Sequence, residues 1–527
     1  MTVTFVPVQI GGGDAVTVTY AVAGLLALWL SAATFVSWYR LKHIPGPWYA
    51  GLTSAWVGWV AYSGKAHAVY LGLSEKYGSL ARIGPNALTT SDPELVKRMS
   101  STKNAYGKSE WVDGHRLNPY HGNMFMVRDP VQHDKMKARL APAYSGRDTP
   151  HLEQCVDQQV LKLHALIRRT YLSAPEEGVF RTMPLIDVLS FFTLDVISKV
   201  ALGSEFGCCA QNSDPYRFHE LMGQHVPKMG LTTDIPMMRR ILYSPLGLRL
   251  FAPRESDKSG MGPLMKVTND AVRSRYDQVQ EGKSDMLGSF IRHGLTQAEC
   301  ESEALFMFIA GSDTSASALR VTMFYIMSCP RVYQKLKAEI RTAIREGRAS
   351  SPVITVAEAK QLPYLQRMRS TYAFAITTQA VLYEGLRMRP VTTGQQAKEV
   401  PAGGDTIDGR FVPGGTSIAT NFGAILRSPR LFGADADAFR PERFLELPSP
   451  AALVEMRRNV ELAFGHGRYM CAGKPLAFME FNKIYFQLLR EFDFQLMDPQ
   501  YPMRSESYAL FVDSGLKVRV TKAVDME

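Results

Sequence analysis

Cys471 sits in a glycine-rich run, FGHGRYMCAG at residues 464–473, and a helical pattern begins at once after it, from 474 to 492. The positive end of a helix dipole favours a thiolate, so this sulfur could stay ionised and bind a metal. One soft, anionic ligand on a loop suits haem iron. Zinc and iron–sulfur clusters need several ligands, and no CxxC pair occurs in the chain. Taken alone, a buried cysteine is usually just a small apolar residue. Two further groups carry charge or hydroxyls at telling spacings. Glu384 and Arg387, in EGLR, share a helix face and can pair. The run AGSDTS, 310–315, gathers Gly, Ser, Asp and Thr inside a helical pattern that each of them weakens, which needs a reason.

The elements that must position these residues are mostly helices. Thr296 and Glu299 form a capping-box pair, and the apolar pattern continues to about Met327, ahead of Cys329 and Pro330. About 32 residues at ~1.5 Å make a rod near ~48 Å, long enough to cross a whole domain. Helical patterns also cover 133–145, 191–207 and 330–347, and prolines interrupt a methionine-rich stretch over 216–249. From Lys76 the chain reads as two short strands and a helix capped near Ser91 or Asp92. Residues 101–128 lack periodicity and read as a long loop; 408–415 reads as a hairpin and 516–520 as a last strand. The sum is a mainly helical body with a small β-rich part.

With 527 residues, 46% hydrophobic and 21% charged, the chain has the composition of an ordinary globular protein with a large core. Sixty basic and fifty acidic residues leave +10, without the dense basic runs of a nucleic-acid binder. That balance suits anionic lipid or an acidic redox partner. Six cysteines without framework spacing point to a reducing compartment. Residues 16–39 hold no charge, and Arg40, Lys42 and His43 follow. These 24 positions are long enough for a transmembrane anchor, with 1–15 lumenal and the bulk, 40–527, cytosolic by the positive-inside rule. IPGPW, from Ile44, is a stiff hinge after it.

The loop around Cys471 resembles the haem-binding loop of the cytochrome P450 superfamily, FxxGxRxCxG, with Phe464, Gly467, Cys471 and Gly473 in register. Tyr469 stands at the usual arginine position and Arg468 one residue earlier. The resemblance implies a P450 fold, haem b on Cys471, and a charge triad of Glu384, Arg387 and Arg443, the last from FRPERF. It implies that Asp313 and Thr314 deliver protons to bound oxygen, that Gly311 leaves room for it, and that His133, Lys137, Lys398 and Arg468 meet the haem carboxylates. Met124, Phe125, Phe306, Ala310, Val391, Thr392 and Phe511 are the substrate-pocket candidates. It further implies a membrane-anchored monooxygenase of the endoplasmic reticulum. Electrons would come from NADPH only indirectly, through NADPH-cytochrome P450 reductase docking near Lys474. The style of the loop is similar to fungal members that tailor secondary metabolites, so the substrate is expected to be an apolar small molecule. Two alternatives stay open: a haem-thiolate isomerase or peroxide user, and an inactive haem-binding protein. The second follows from the thirteen residues RMRSTYAFAITTQ, 367–379, which interrupt a helix leading into EGLR and read as an insertion. Thirteen residues at ~100° each would misplace the apolar face of a continuous helix.

Overall fold

The computed structural model describes residues 12–277, 283–361 and 378–524. The uncharged N-terminal run forms helix α1 (Gly12–Arg40), and Tyr20, Leu25, Leu28, Trp29 and Phe35 on it are exposed. Among the described residues, several side chains of α1 being outside them, no helix is long and apolar enough to cross a membrane. Arg82 ties the end of α1 to the body, donating to Trp38 O and Ser37 O, each at 2.9 Å.

Strands β1 (Leu80–Gly84) and β2 (Ala87–Thr90) pair antiparallel, and Asp92 then caps the next helix by accepting from Glu94 N at 3.1 Å. The stretch 101–128 is less irregular than its sequence suggests. It contains strand β3 (Gly107–Lys108) and two 3-10 turns, Glu110–His115 and Met124–Met126, capped by Ser109 and Asn123. Side-chain caps and one strand pairing hold these short pieces, so no hydrophobic period announces them. Helices α2 (Pro130–Tyr144), α3 (Leu185–Leu202) and α4 (Phe218–Asp234) follow. The capping box at Thr296 opens α5 (Gln297–Ser328), the long rod of the fold. Helix α6 (Thr378–Met388) carries the EGLR motif, β4 (Lys398–Glu399) and β5 (Ser417–Thr420) complete the main sheet, and α7 (Lys474–Glu491) follows the cysteine loop. The sheet order is β1–β2–β5–β4–β3. A hairpin of β6 (Arg504–Ser507) and β7 (Phe511–Ser514) lies near the end of the chain.

The core forms where α3, α5, α6 and α7 meet, with Phe192, Phe308, Leu382 and Phe486 fully buried. Each such side chain contributes about 1.5–3 kcal/mol by leaving water. Close helix contacts depend on two glycines. A Cβ on Gly385 of α6 would overlap the Thr322 side chain of α5. A Cβ on Gly311 would lie 2.9 Å from Ile197 Cδ1 on α3. Gly311 therefore serves helix packing, a different reason from the room for oxygen that the motif suggested. The insertion read at 367–379 falls mostly outside the described residues. Its last two, Thr378 and Gln379, are the buried first residues of α6, and Gln379 hydrogen-bonds Asn482 of α7.

Overpacking the α5–α6 contact gives a direct check. Gly385→Ala is expected to destabilise the protein by about 1–3 kcal/mol, read as a lower urea midpoint with unchanged slope.

Candidate active site

The cysteine loop is shaped by its own backbone. Cys471 N donates to Phe464 O at 2.7 Å, and Gly465 turns with φ 77°, its missing Cβ facing the Tyr469 carbonyl. Gly467 has φ 51° and lies against the Ser100 carbonyl, while a Cβ on Gly473 would be 3.8 Å from Cys471 Sγ. The Phe464 ring packs on Phe478 of α7, with centroids 5.4 Å apart. Burial pushes the Cys471 thiol up in pKa, opposed by the N–H groups of Gly473 and Lys474 and by the charges of Lys137 and Lys474. Cys471 is exposed although its loop and α7 pack around it, so open space, a hollow, adjoins it.

Helix α5 shows the same signature. Most of its middle is buried, yet Phe306, Ala310, Gly311 and Thr314 keep accessible surface. Phe306, Ala310 and Thr314 are spaced by four and so share one face. The Thr314 hydroxyl donates to Ala310 O at 2.6 Å, which leaves its oxygen lone pairs free to accept. Asp313 is buried, 3.5 Å from Arg320 Nη2. Arg320 in turn shares Asp513 with Arg389, at 2.7 Å each. Burial would raise the Asp513 carboxyl, but these guanidiniums hold it well below the usual carboxylate range. Phe125 stacks on Phe306 with centroids 5.3 Å apart, and Met124 N donates to the Glu303 carboxylate, so the 101–128 stretch closes over α5.

A basic wall forms where β3 pairs with β4. Lys108 and Lys398 are direct cross-strand partners, so their side chains project to the same face. Their ammoniums lie 5.6 and 5.1 Å from the Tyr469 ring, the position where the motif usually has arginine. Lys108 donates to Met124 O at 3.2 Å and Phe125 O at 2.7 Å. Among the described residues neither lysine forms a salt bridge, although Glu303 acts on Lys108 from further off, and burial pulls Lys108 down to about 7 and Lys398 to about 8. Lys108 was missed by sequence reasoning. A lysine in an apparent loop carries no periodic signal, and only the pairing with β4 brings it here.

The other basic candidates are committed elsewhere. Lys137 donates to Arg468 O at 2.8 Å and Met470 O at 3.0 Å, clamping the cysteine loop. His133 packs 5.1 Å from the Tyr469 ring, and burial brings it to about 4. Arg468 pairs with Asp134 at 3.0 Å and donates to the carbonyls of Thr102 and Asn104. Lys474 pairs with Glu461 at 2.6 Å. Phe511 departs from its expected place at the pocket edge: it is buried, with its ring 4.2 Å from the Arg389 guanidinium and 5.4 Å from His67. Its neighbour Leu510 bridges Thr392 and packs with the cluster around Phe306, because adjacent strand residues face opposite sides. Val391 and Thr392 are half-buried beside it.

Behind the loop, Glu384 receives Arg387 through two bonds of 2.8 Å, Arg443 Nε at 3.0 Å and Arg440 N at 2.7 Å, all three side chains of the triad being buried. Arg387 also donates to Leu426 O, Ala436 O and Ala438 O.

A buried arginine–glutamate knot, an exposed cysteine at a helix start and a partly accessible threonine in the middle of a long buried helix are the marks of a haem-thiolate protein. The family model for cytochrome P450 matches residues 45–518, and the chain belongs to the cytochrome P450 family. It is 46% identical over 491 residues to cytochrome P450 monooxygenase aba1 of Botryotinia fuckeliana, covering 92% of this chain and 93% of that protein. It is 41% identical to cytochrome P450 monooxygenase abl1 of Leptosphaeria maculans, over 95% of this chain and 86% of that one. Identity to cytochrome P450 monooxygenase ABA1 of Pyricularia oryzae is 38%, over 96% and 98%. The family implies a haem-iron cofactor, and the residues fit one. The exposed Cys471, with the cross-strand cations Lys108 and Lys398 beside Tyr469 of the same loop, suits a group that carries a metal and carboxylates.

Two measurements follow. Both lysines are protonated in the unfolded chain up to the ordinary 10.5 but lose the proton near 7 and 8 when folded. The unfolded state therefore binds more protons across that window, and the haem-free protein is expected to gain stability as pH rises from about 7 to 10. Replacing both, Lys108→Met with Lys398→Met, should flatten that dependence in urea melts. Arg443→Ala leaves Glu384 under-compensated and should cost about 3–5 kcal/mol, seen as a lower melting temperature.

Proposed function

We propose that the protein oxidises an apolar small molecule of secondary metabolism, using O₂ and electrons from an NADPH-dependent reductase, while α1 holds it on the endoplasmic reticulum membrane. It is a cytochrome P450 monooxygenase. The observation that carries the finer reading is accessible surface at Cys471 and at Phe306, Ala310 and Thr314 in the otherwise buried middle of α5. Haem b, when bound, supplies oxygen activation and the insertion of one oxygen atom into a C–H bond.

The chain's own residues do the rest. Cys471 would ligate the iron, and α7 directs its first N–H groups at the sulfur, stabilising negative charge there. Lys108 and Lys398 would neutralise the haem carboxylates, standing in for the arginine absent at Tyr469. The Thr314 oxygen, its own proton given to Ala310 O, can accept a water proton and hold that water in place. Asp313, 3.5 Å from Arg320, is the neighbouring acid that would resupply protons. Phe125, Phe306 and Ala310 exclude bulk water and offer an apolar surface to substrate. A hydroxyl and an acid side by side favour this reading over an isomerase, which needs no such delivery.

Support for the anchor is the charge-free run 16–39, followed by Arg40 and Lys42, together with the exposed Leu25, Leu28 and Trp29 of α1.

Reduced protein under carbon monoxide should show a thiolate-type Soret band, and Cys471→Ser should lose it; an unchanged band overturns the ligand assignment. Thr314→Ala should retain the band while product per NADPH falls about tenfold and peroxide release rises. Removal of residues 1–40 should release the protein from alkali-washed microsomes.

A further inference from the structure

Helix α5 carries a buried arginine that the mechanism above does not use. Asp313, Ser317 and Arg320 follow one another at spacings of four and three and so share a face of α5. That face lies about 100° round the helix from the one that holds Phe306, Ala310 and Thr314. Helical side chains tilt toward the N-terminus, which lets Arg320 reach back two turns to Asp313. Arg320 Nη2 lies 3.5 Å from Asp313 Oδ1, and Arg320 Nε donates to Asp513 Oδ2 at 2.7 Å. Arg320 and Asp513 have no solvent access, and Asp313 is buried. Among the described residues no hydrogen bond joins Asp313 to Thr314, whose hydroxyl donates to Ala310 O.

The two ends of the Arg320 guanidinium differ. On β7, Asp513 is saturated: besides Arg320 it accepts from Arg389 Nη1 and Nη2, each at 2.7 Å, and from Ser505 Oγ at 2.6 Å. Arg389 Nη2 also donates to Ser317 Oγ at 2.9 Å, a second tie between α5 and the hairpin. One carboxylate thus stands against two guanidiniums almost wholly out of water. The cluster balances only when the Asp313 carboxylate is counted with it. Toward Asp313, however, the contact is loose. A closed charge-assisted pair has N···O of about 2.7–2.9 Å, and Arg320 Nη1 is buried without a hydrogen-bond partner. Arg320 is therefore fixed at Nε and open at its far end, so Asp313 can shift while Arg320 stays.

We propose that Arg320 is a positioning residue for proton delivery: clamped by Asp513, it keeps Asp313 a carboxylate on the hairpin face of α5 and leaves it free to move at the open Nη end. The proposal rests on the monooxygenase reading above and deepens it. Arg320 has no accessible surface and so acts through Asp313. Without it, Asp313 would be a buried carboxylate lacking a partner, and such a group takes up a proton and keeps it. A relay needs an acid that gives its proton away and regains it.

The test uses haem-loaded, full-length protein with an NADPH-dependent flavoprotein reductase and O₂, without added substrate. Complete proton delivery consumes two NADPH and two protons per O₂ and yields two waters, whereas failed delivery consumes one NADPH and one proton and releases hydrogen peroxide. The unmodified protein should show an NADPH-to-O₂ ratio above one. Asp313→Asn and Arg320→Met should both fall toward one, with peroxide raised about threefold or more. Arg320→Lys, which keeps the charge, should recover at least half of the loss, and Arg320→Gln carries the test if the Met variant does not hold haem. Asp313→Asn with Arg320→Met should release no more peroxide than Asp313→Asn alone. Independently of turnover, that double variant should melt within about 2 °C of the lower single variant instead of showing both shifts added. Peroxide unchanged on removal of the Arg320 charge, or losses that add in the double variant, overturns the positioning role. The thiolate-type band under carbon monoxide is recorded for each sample. A ratio of one in the unmodified protein strikes at the proton-delivery reading and at the proposal with it, whereas a higher ratio that the Arg320 variants leave unaltered strikes at Arg320 alone.

Discussion

One buried carboxylate holds the cysteine side of this molecule together. Glu384 has no solvent access and would be prohibitively costly to ionise alone, yet two guanidiniums and a backbone N–H surround it. Its partners are themselves bound outward, Arg387 to carbonyls of Leu426, Ala436 and Ala438, and Arg443 to those of Asp435 and Ala438. The irregular chain that leads toward Cys471 has little secondary structure of its own. It is positioned because its carbonyls satisfy arginines that cannot move without stranding a charge.

The opposite wall is organised by packing rather than by charge. Helix α5 approaches α3 and α6 closely at Gly311 and Gly385, and that closeness fixes the height of Thr314 and Phe306 over the hollow. Lys137 clamps the cysteine loop from α2. Displacing either wall would alter the space between sulfur and hydroxyl, so residues remote from the chemistry still set its geometry.

The sequence made some parts of this legible and hid others for identifiable reasons. The capping box at Thr296 and the uninterrupted apolar period after it announce α5, whose observed start differs by one residue. Asp92 announces the helix after β2 in the same way. Local signals of that kind survive because the structure-forming interaction lies within a few residues. Lys108 was invisible because its partner Lys398 is nearly three hundred residues away and no local pattern encodes the pairing. Phe511 was misplaced for a subtler reason: a motif gives a segment, but strand alternation decides which of its residues faces the site. Arg468 was read as a cofactor contact from the motif, one residue before the usual arginine position, and in the fold it is held by Asp134 and two carbonyls that the motif does not encode.

The cross-strand lysine pair has a consequence for how the fold responds to a ligand. Burial opposes the charge on both ammoniums, and Lys398 opposes that on Lys108, so the sheet edge that carries them is weakened. A ligand that brings carboxylates to this edge binds the folded state alone and shifts the folding balance toward it.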